Sequence, residues 1–405
     1  MKSKTMTICI VTRVTSAHSF GGMQHYVDLL AQGLALRGNK VIIISTALEG
    51  QHGEQVRRSD DGAVTTFFLA NTRPGSYRRG FFKKAYKKIL ELNKLEKIDI
   101  VHGQSASAFA CTGKLPMPVV TTLFGVGYCE TPYQRLIYPK LSLKNKLYFA
   151  AKWPKIAVSM RYMYKAAEQS DEVILISRFS QDELRRVKPN FPHRKTTVIH
   201  CGVEQPEFDL KNKASIKEKL GYTGTLVLSA GRIEVQKGVQ VLLDAWRGVD
   251  APDAHLAVVG DGGYLPYLKE YAQCNKLKRC EFTGAVPHDR FLEYFAAADV
   301  FVYPELTRPA FGLVAAQAMT HGVPVIGANH GAIPEVIADA GFLCEPDNPV
   351  DLRDQLQYFL SHDDTWDFLR KKARQRVDEY FSVDRMVAQT LAVYRRQVKL
   401  KRHSS

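Results

Sequence analysis

Short, nearly uninterrupted apolar runs rich in Val, Ile and Leu alternate along the chain with longer amphipathic stretches. The first series of runs covers 6–12, 41–45, 98–102, 119–123, 172–176 and 197–200. The second covers 226–230, 255–259, 280–283, 300–303, 324–328 and 341–344. Runs without polar alternation predict strands buried on both faces, hence parallel sheets covered by helices. A helix is predicted over Gly22–Leu36, with Tyr26, Leu29, Leu30 and Leu34 on one stripe and Gly38 as its stop. The two series predict two doubly wound α/β domains, 1–203 and 204–382, divided in a polar stretch that contains Pro206. Helical spacing resumes over 383–400 through Met386, Thr390, Val393 and Gln397.

Length and composition agree with this division. At about 100–200 residues per domain, 405 residues suit two or three domains. Apolar residues at 45% and charged residues at 24% exclude a disordered or fibrous chain. The formal charge of +15 is concentrated in two stretches. Residues 73–97 hold nine basic and two acidic side chains, and residues 134–165 hold eight basic and none acidic, which together equal the whole excess. So local an excess predicts a polyanionic partner. In 134–165, Leu143, Leu147 and Ala150 share a helical face, with Lys144, Lys146 and Lys152 off it and Tyr138, Tyr148, Phe149 and Trp153 interleaved. Cations with interfacial aromatics suit a helix lying on an anionic membrane. No nucleic-acid-binding motif is present, so nucleic acid is not expected as a partner. The seven cysteines show no CxxC pair and are odd in number, which predicts reduced thiols. The amino terminus has only a short apolar run, and no stretch reaches the ~18–20 residues of a spanning helix. A cytoplasmic protein, peripheral on the inner face of a membrane, is expected.

Candidate chemistry lies in the second half. In LVLSAGRIEVQKGVQVLL (226–243) a strand ends at Ala230, and Gly231, Arg232 and then Lys237-Gly238 lead into a helix. Two cations at the carboxyl end of a parallel strand can hold a diphosphate and stabilise it as a leaving group. Surface charge on a βα loop is the plainer reading of that block alone. A second block, VFVYPELTRPAFGLVAAQAMTHGVPVIGANHGAIPEV, runs from Val300 to Val336. With it go Gly21-Gly22-Met23-Gln24 before a helix, Ile176-Ser177 with Phe179-Ser180, VIHCGVE from Val198, Val259-Gly260-Asp261-Gly262, and FTGAV from Phe282 to Val286.

In order and spacing this set resembles the retaining glycosyltransferases of family 4, and the resemblance runs nearly end to end. It implies the GT-B fold, two Rossmann-like domains facing a cleft, with 383–400 returning to the first, acceptor-binding domain. It implies sugar transfer from a nucleotide-sugar donor with retained anomeric configuration, without a metal or other cofactor. On this resemblance Arg232 and Lys237 hold the pyrophosphate, beside Gly231 and with Gly21 and Gly22 approaching from the first domain. Phe282 and Val286 would flank the base, and Phe311, Gly312, Leu313 and Val314 would line the donor, the last two offering N–H groups to phosphate. The acceptor would be a lipid-linked or anionic glycan at a membrane surface reached through 73–97 and 134–165.

Three positions depart from the family pattern. Its two glutamates fall on Pro309 and Gln317, and a frequent His falls on Phe124. Gln317 retains an acceptor for a ribose hydroxyl, while Pro309 leaves side-chain contact with the donor sugar to Arg308 or Glu305. Arg308 could pair with the carboxylate of a uronic acid donor. The losses leave open an alternative, a catalytically silent relative that binds nucleotide and serves as partner or scaffold in a glycan assembly complex. His18, His25, His102, His200 and His321 lack metal-ligand spacing, and Trp246 and Trp366 read as packing residues.

Overall fold

The computed structural model describes residues 5–19, 21–78, 80–126, 157–206 and 212–404. The amphipathic face through Leu143, Leu147 and Ala150 lies outside the described residues. The chain forms two compact units that divide at Gly202/Val203 and again at Ser382/Val383.

The first unit holds an eight-stranded sheet. Its strands are β1 (Thr7–Val11), β2 (Lys40–Thr46), β3 (Gln55–Arg58), β4 (Val64–Leu69), β5 (Ile100–Gln104), β6 (Val119–Leu123), β7 (Glu172–Leu175) and β8 (Thr196–Val198). The spatial order is β3-β4-β2-β1-β5-β6-β7-β8, so the winding reverses between β1 and β5. All pairings are parallel except β3 with β4. That antiparallel edge corrects the expectation of a purely parallel sheet. Every residue of β3 is exposed, so it has no apolar run to announce it. The predicted helix spans Gly22–Leu36, buries Tyr26, Leu29, Leu30 and Leu34, and stops before Gly38 at φ 77°. Ser177 caps the helix Arg178–Val187 by accepting the Ser180 N–H at 3.0 Å, which accounts for the serine spacing there.

The helix Phe81–Leu95 buries Phe81, Ala85, Ile89 and Leu92. Its lysines divide into two groups. Lys84 donates to the Ala70 and Asn71 carbonyls, and Lys88 bridges Glu54 and Glu91 while lying over Phe67. Lys83, Lys87 and Lys94 point to solvent on one face.

The helix Val383–Ser404 belongs to the first unit, with Met386, Thr390, Val393 and Gln397 all buried. Gly33 lets it approach, since a Cβ there would lie 2.5 Å from Val387 Cγ2. Gln397 and Arg396 each donate to the buried Glu172 carboxylate at 2.6 Å. Tyr394, fully buried, donates or accepts at His102 Nδ1 over 2.6 Å, and His102 Nε2 meets Thr122 Oγ1 at 2.7 Å. Burial alone pushes the His102 pKa down to about 3, so the ring is neutral.

The second unit holds six parallel strands: β9 (Thr225–Ala230), β10 (Ala254–Val259), β11 (Cys280–Gly284), β12 (Val300–Tyr303), β13 (Val325–Ala328) and β14 (Gly341–Cys344). The order β11-β10-β9-β12-β13-β14 reverses between β9 and β12. In a doubly wound sheet the crevice for ligands opens at that reversal, beyond the carboxyl ends of the strands. The segments following β9 and β12 therefore form the walls of any ligand site in this unit. Trp246 and Trp366 are packing residues. Trp246 is 6% exposed, and Trp366 stacks on Phe359 at 4.8 Å.

Candidate active site

After β9 the chain turns through Gly231 at φ 135°, a conformation open to glycine. The loop after β10 lies backbone to backbone against this turn. A Cβ on Gly260 would sit 1.8 Å from the Gly231 carbonyl oxygen, and one on Gly262 would sit 2.2 Å from that of Ile233. The Gly231 and Ile233 N–H groups donate to the Val259 and Asp261 carbonyls, each at 2.9 Å. Asp261 accepts the Gly262 N–H at 2.7 Å and so shapes the turn. Arg232, between these anchors, is exposed; its carbonyl accepts the Glu234 N–H at 3.2 Å, and its side chain makes no hydrogen bond or ion pair among the described residues.

Lys237 closes a short turn, Val235–Lys237, and Gly238 follows at φ 70°. A Cβ on Gly238 would come within 1.7 Å of the Pro304 carbonyl oxygen, and the Leu306 N–H donates to the Gln236 carbonyl at 2.8 Å. The segments after β9 and β12 are thus clamped together at the sheet reversal. Lys237 Nζ lies 2.5 Å from Glu305 Oε2, and Tyr303 donates to the same oxygen at 3.1 Å. Thr307 donates to Oε1. Glu305 is fully buried, whereas the Lys237 side chain is 29% exposed. Of the two side chains expected to reach the donor sugar, Arg308 or Glu305, the Glu305 carboxylate faces inward. Burial and the adjacent Glu305 charge raise the Tyr303 pKa well above its ordinary value, so the phenol stays a donor.

Other expected contacts divide. Pro309 is packed on Gly331, and its carbonyl accepts the Ala332 N–H at 2.9 Å. Phe311, 3% exposed, stands edge-on to Phe381 at 5.2 Å, which corrects its assignment as a ligand contact: the ring belongs to the core. Gly312 at φ 104° opens the helix Leu313–Thr320 without a side-chain cap. The Ala315 and Ala316 N–H groups turn back to the Gly312 carbonyl, and those of Leu313 and Val314 head the helix axis. Gln317 lies one turn further on, partly exposed. Phe282 and Val286 are half-buried beside the end of β11, and Arg308 is half-buried in the segment after β12.

His330, just after β13, is a residue sequence reasoning missed. Its Nε2 lies 2.8 Å from the Glu305 carbonyl, which can only accept, so Nε2 carries the proton. Burial holds its pKa below the ordinary value, although that bond acts the other way. Among the described residues no His, Cys, Asp and Glu side chains gather into a metal site.

Gly21, Gly22 and Phe124 lie in the first unit. Gly21 is extended, and a Cβ there would come 2.8 Å from Gln24 Oε1. Phe124, following β6, stands edge-on to Tyr26 of the helix that Gly22 opens, at 4.9 Å. The structure therefore brings the glycine turn and Phe124 together through Tyr26.

Two family models match in tandem. "Glycosyltransferase Family 4" covers residues 20–205 and "Glycosyl transferases group 1" covers 211–376. The chain belongs to glycosyltransferase family 4. This glycosyltransferase is 25% identical to an uncharacterized glycosyltransferase of Methanocaldococcus jannaschii, over 96% of this chain and 98% of that one. It is 27% identical to the alpha-monoglucosyldiacylglycerol synthase of Streptococcus pneumoniae, over 79% and 71%. Anabaena HepE, solved in complex with UDP-glucose, has the same GT-B fold, with a TM-score of 0.71, 18% identity, and coverage of 96% of the glycosyltransferase and 100% of HepE.

Proposed function

We propose that this glycosyltransferase moves a sugar, with retention, from a UDP-sugar to a lipid-linked or anionic glycan acceptor. The observation that carries the donor half is Arg232, exposed on the turn after β9 with no side-chain partner among the described residues, next to a loop whose Lys237 is already held in place. A departing diphosphate needs fixed positive charge and N–H donors. Arg232, Lys237 and the N–H groups of Leu313 and Val314 supply both from one unit. These protein groups take the place of a metal ion in the proposed step, with Gly231 allowing close approach and Phe282 and Val286 beside the base. Gln317 would accept a ribose hydroxyl. HepE, whose complex contains UDP-glucose, supports the choice of uridine.

The acceptor half rests on charge. Lys83, Lys87 and Lys94 form an exposed stripe, and each cation near an anionic leaflet contributes about 1 kcal/mol. The Streptococcus pneumoniae relative, by name a synthase of a glucosylated diacylglycerol, supports a lipid-linked acceptor. No helix among the described residues is long and apolar enough to cross a membrane. Attachment would be peripheral, on the cytoplasmic face.

Thermal shift with UDP, GDP and ADP tests the donor reading: UDP stabilises the wild type, and the Arg232→Ala/Lys237→Ala variant shows no shift. A wild type that no nucleotide stabilises would end this reading. Flotation with anionic liposomes tests the surface, and the Lys83→Glu/Lys87→Glu/Lys94→Glu variant should remain at the bottom of the gradient. Binding of UDP with no release from any UDP-sugar would favour the silent relative.

A further inference from the structure

Between Val300 and Pro334 the chain contains one acidic residue, Glu305. The positions where the family pattern has glutamates hold Pro309 and Gln317, so this one carboxylate supplies all the negative charge in the segment. It is fully buried, and every partner around it is arranged to hold it still. Lys237 Nζ at 2.5 Å and the Tyr303 hydroxyl at 3.1 Å meet Oε2, and the Thr307 hydroxyl meets Oε1. Its main chain is fixed as well, since His330 Nε2–H donates to its carbonyl at 2.8 Å and the next N–H donates to the Gln236 carbonyl at 2.8 Å.

We infer that Glu305 is a positioning residue for Lys237, acting from behind the ammonium and never touching substrate. This inference rests on the proposed role of Lys237 at the diphosphate. A lysine ammonium ends a flexible four-carbon stem and has three N–H donors. One donor is committed to Glu305, and the 29% exposure of the side chain leaves the others to face outward. Anchoring the stem before substrate arrives removes a rotamer cost that would otherwise fall on the reaction step. The pair is also nearly neutral at a distance, so attraction of the diphosphate falls to exposed Arg232, whose side chain has no partner among the described residues. The two cations then have separate duties: Arg232 sets affinity, and the Lys237–Glu305 pair sets turnover by aiming a donor at the leaving oxygen.

The test uses the full chain, UDP calorimetry, and UDP release from UDP-glucose and other UDP-sugars. Glu305→Gln should lower turnover at least tenfold while changing the UDP Kd less than threefold. Lys237→Ala should lower turnover to a similar level, and the double variant should be no slower than Lys237→Ala. Turnover within twofold of wild type in Glu305→Gln would overturn the inference, as would a double variant showing the product of the two separate losses. Lys237→Ala with wild-type turnover would overturn the proposed role of Lys237 itself. If Glu305→Gln does not fold, Tyr303→Phe/Thr307→Val keeps the charge and loosens the anchor. Turnover there should fall at least threefold, and wild-type turnover would again refute positioning.

Discussion

Acid should loosen the first unit through one histidine. His102 is fully buried between Tyr394 of the terminal helix and Thr122 of β6, with bonds of 2.6 and 2.7 Å. Its folded pKa is about 3, against 6.5 for the free side chain. The unfolded chain therefore binds the extra proton between these values, and stability is lost as pH falls below 6.5. At pH 5 the unfolded imidazole is almost wholly protonated and the folded one is not, which costs the first unit about 2 kcal/mol relative to pH 7.5. The groups bonded to the ring are neutral: Thr122 does not ionise, and burial raises the Tyr394 pKa and keeps it protonated. Hydrogen exchange read on peptides from β5 and from Val383–Ser404 would measure the loss. His102→Gln keeps a polar side chain without a proton to gain, so its stability should fall less over the same pH change, by about 2 kcal/mol. Equal losses in wild type and variant would refute the reasoning. So would a His102-dependent loss of the same size in β9–β14 peptides, because the histidine belongs to the first unit.

Three further outcomes are expected. Gly238→Ala combines a strained φ of 70° with a Cβ 1.7 Å from the Pro304 oxygen; it should destabilise the second unit by about 1–3 kcal/mol in urea unfolding and weaken UDP binding. Gly33→Leu should push the terminal helix outward through Val387 and lower the melting temperature. Adding Val387→Ala should recover part of that loss, and no recovery would show that the contact is not the cause. Gln317→Glu should tighten UDP binding several-fold by replacing a neutral ribose acceptor with a charged one, read by calorimetry; weaker binding would move Gln317 away from the ribose.

Much of the fold was legible because burial on both faces leaves its mark on a strand. The runs at Val119–Leu123, Val300–Tyr303 and Gly341–Cys344 coincide with β6, β12 and β14. The helix Gly22–Leu36 was legible for a different reason, since its stripe and its stop are local signals. β3 was not, because an exposed edge strand has no apolar requirement. β4 was missed too, although Phe68 and Leu69 are buried, because Thr65 and Thr66 break the apolar run. The spacing of 383–400 announced a helix, its return to the first unit followed only from the family resemblance, and its docking on Gly33 and His102 depends on contacts hundreds of residues apart that no local pattern announces. The site was legible as two cations. What each cation does was not. Sequence offered Glu305 only as a side chain near the donor sugar, and its burial becomes visible only when Lys237, Tyr303 and Thr307 converge on it. Phe311 read as a ligand contact because its neighbour Gly312 opens a helix, whereas its ring is taken up by Phe381.

The helix Val383–Ser404 also sets an order of events during synthesis. Among the described residues, the first unit combines residues up to Gly202 with Val383–Ser404, and the second is drawn from the stretch between them, Val203–Ser382. As the polypeptide leaves the ribosome, β9 to β14 can all be complete while the helix that covers Gly33 and His102 is still inside the exit tunnel. The part of the protein made first is therefore finished last. Until that helix emerges, the apolar face of Gly22–Leu36 has no permanent cover, so a chain stalled before residue 383 would present a finished second unit attached to an unfinished, aggregation-prone first one.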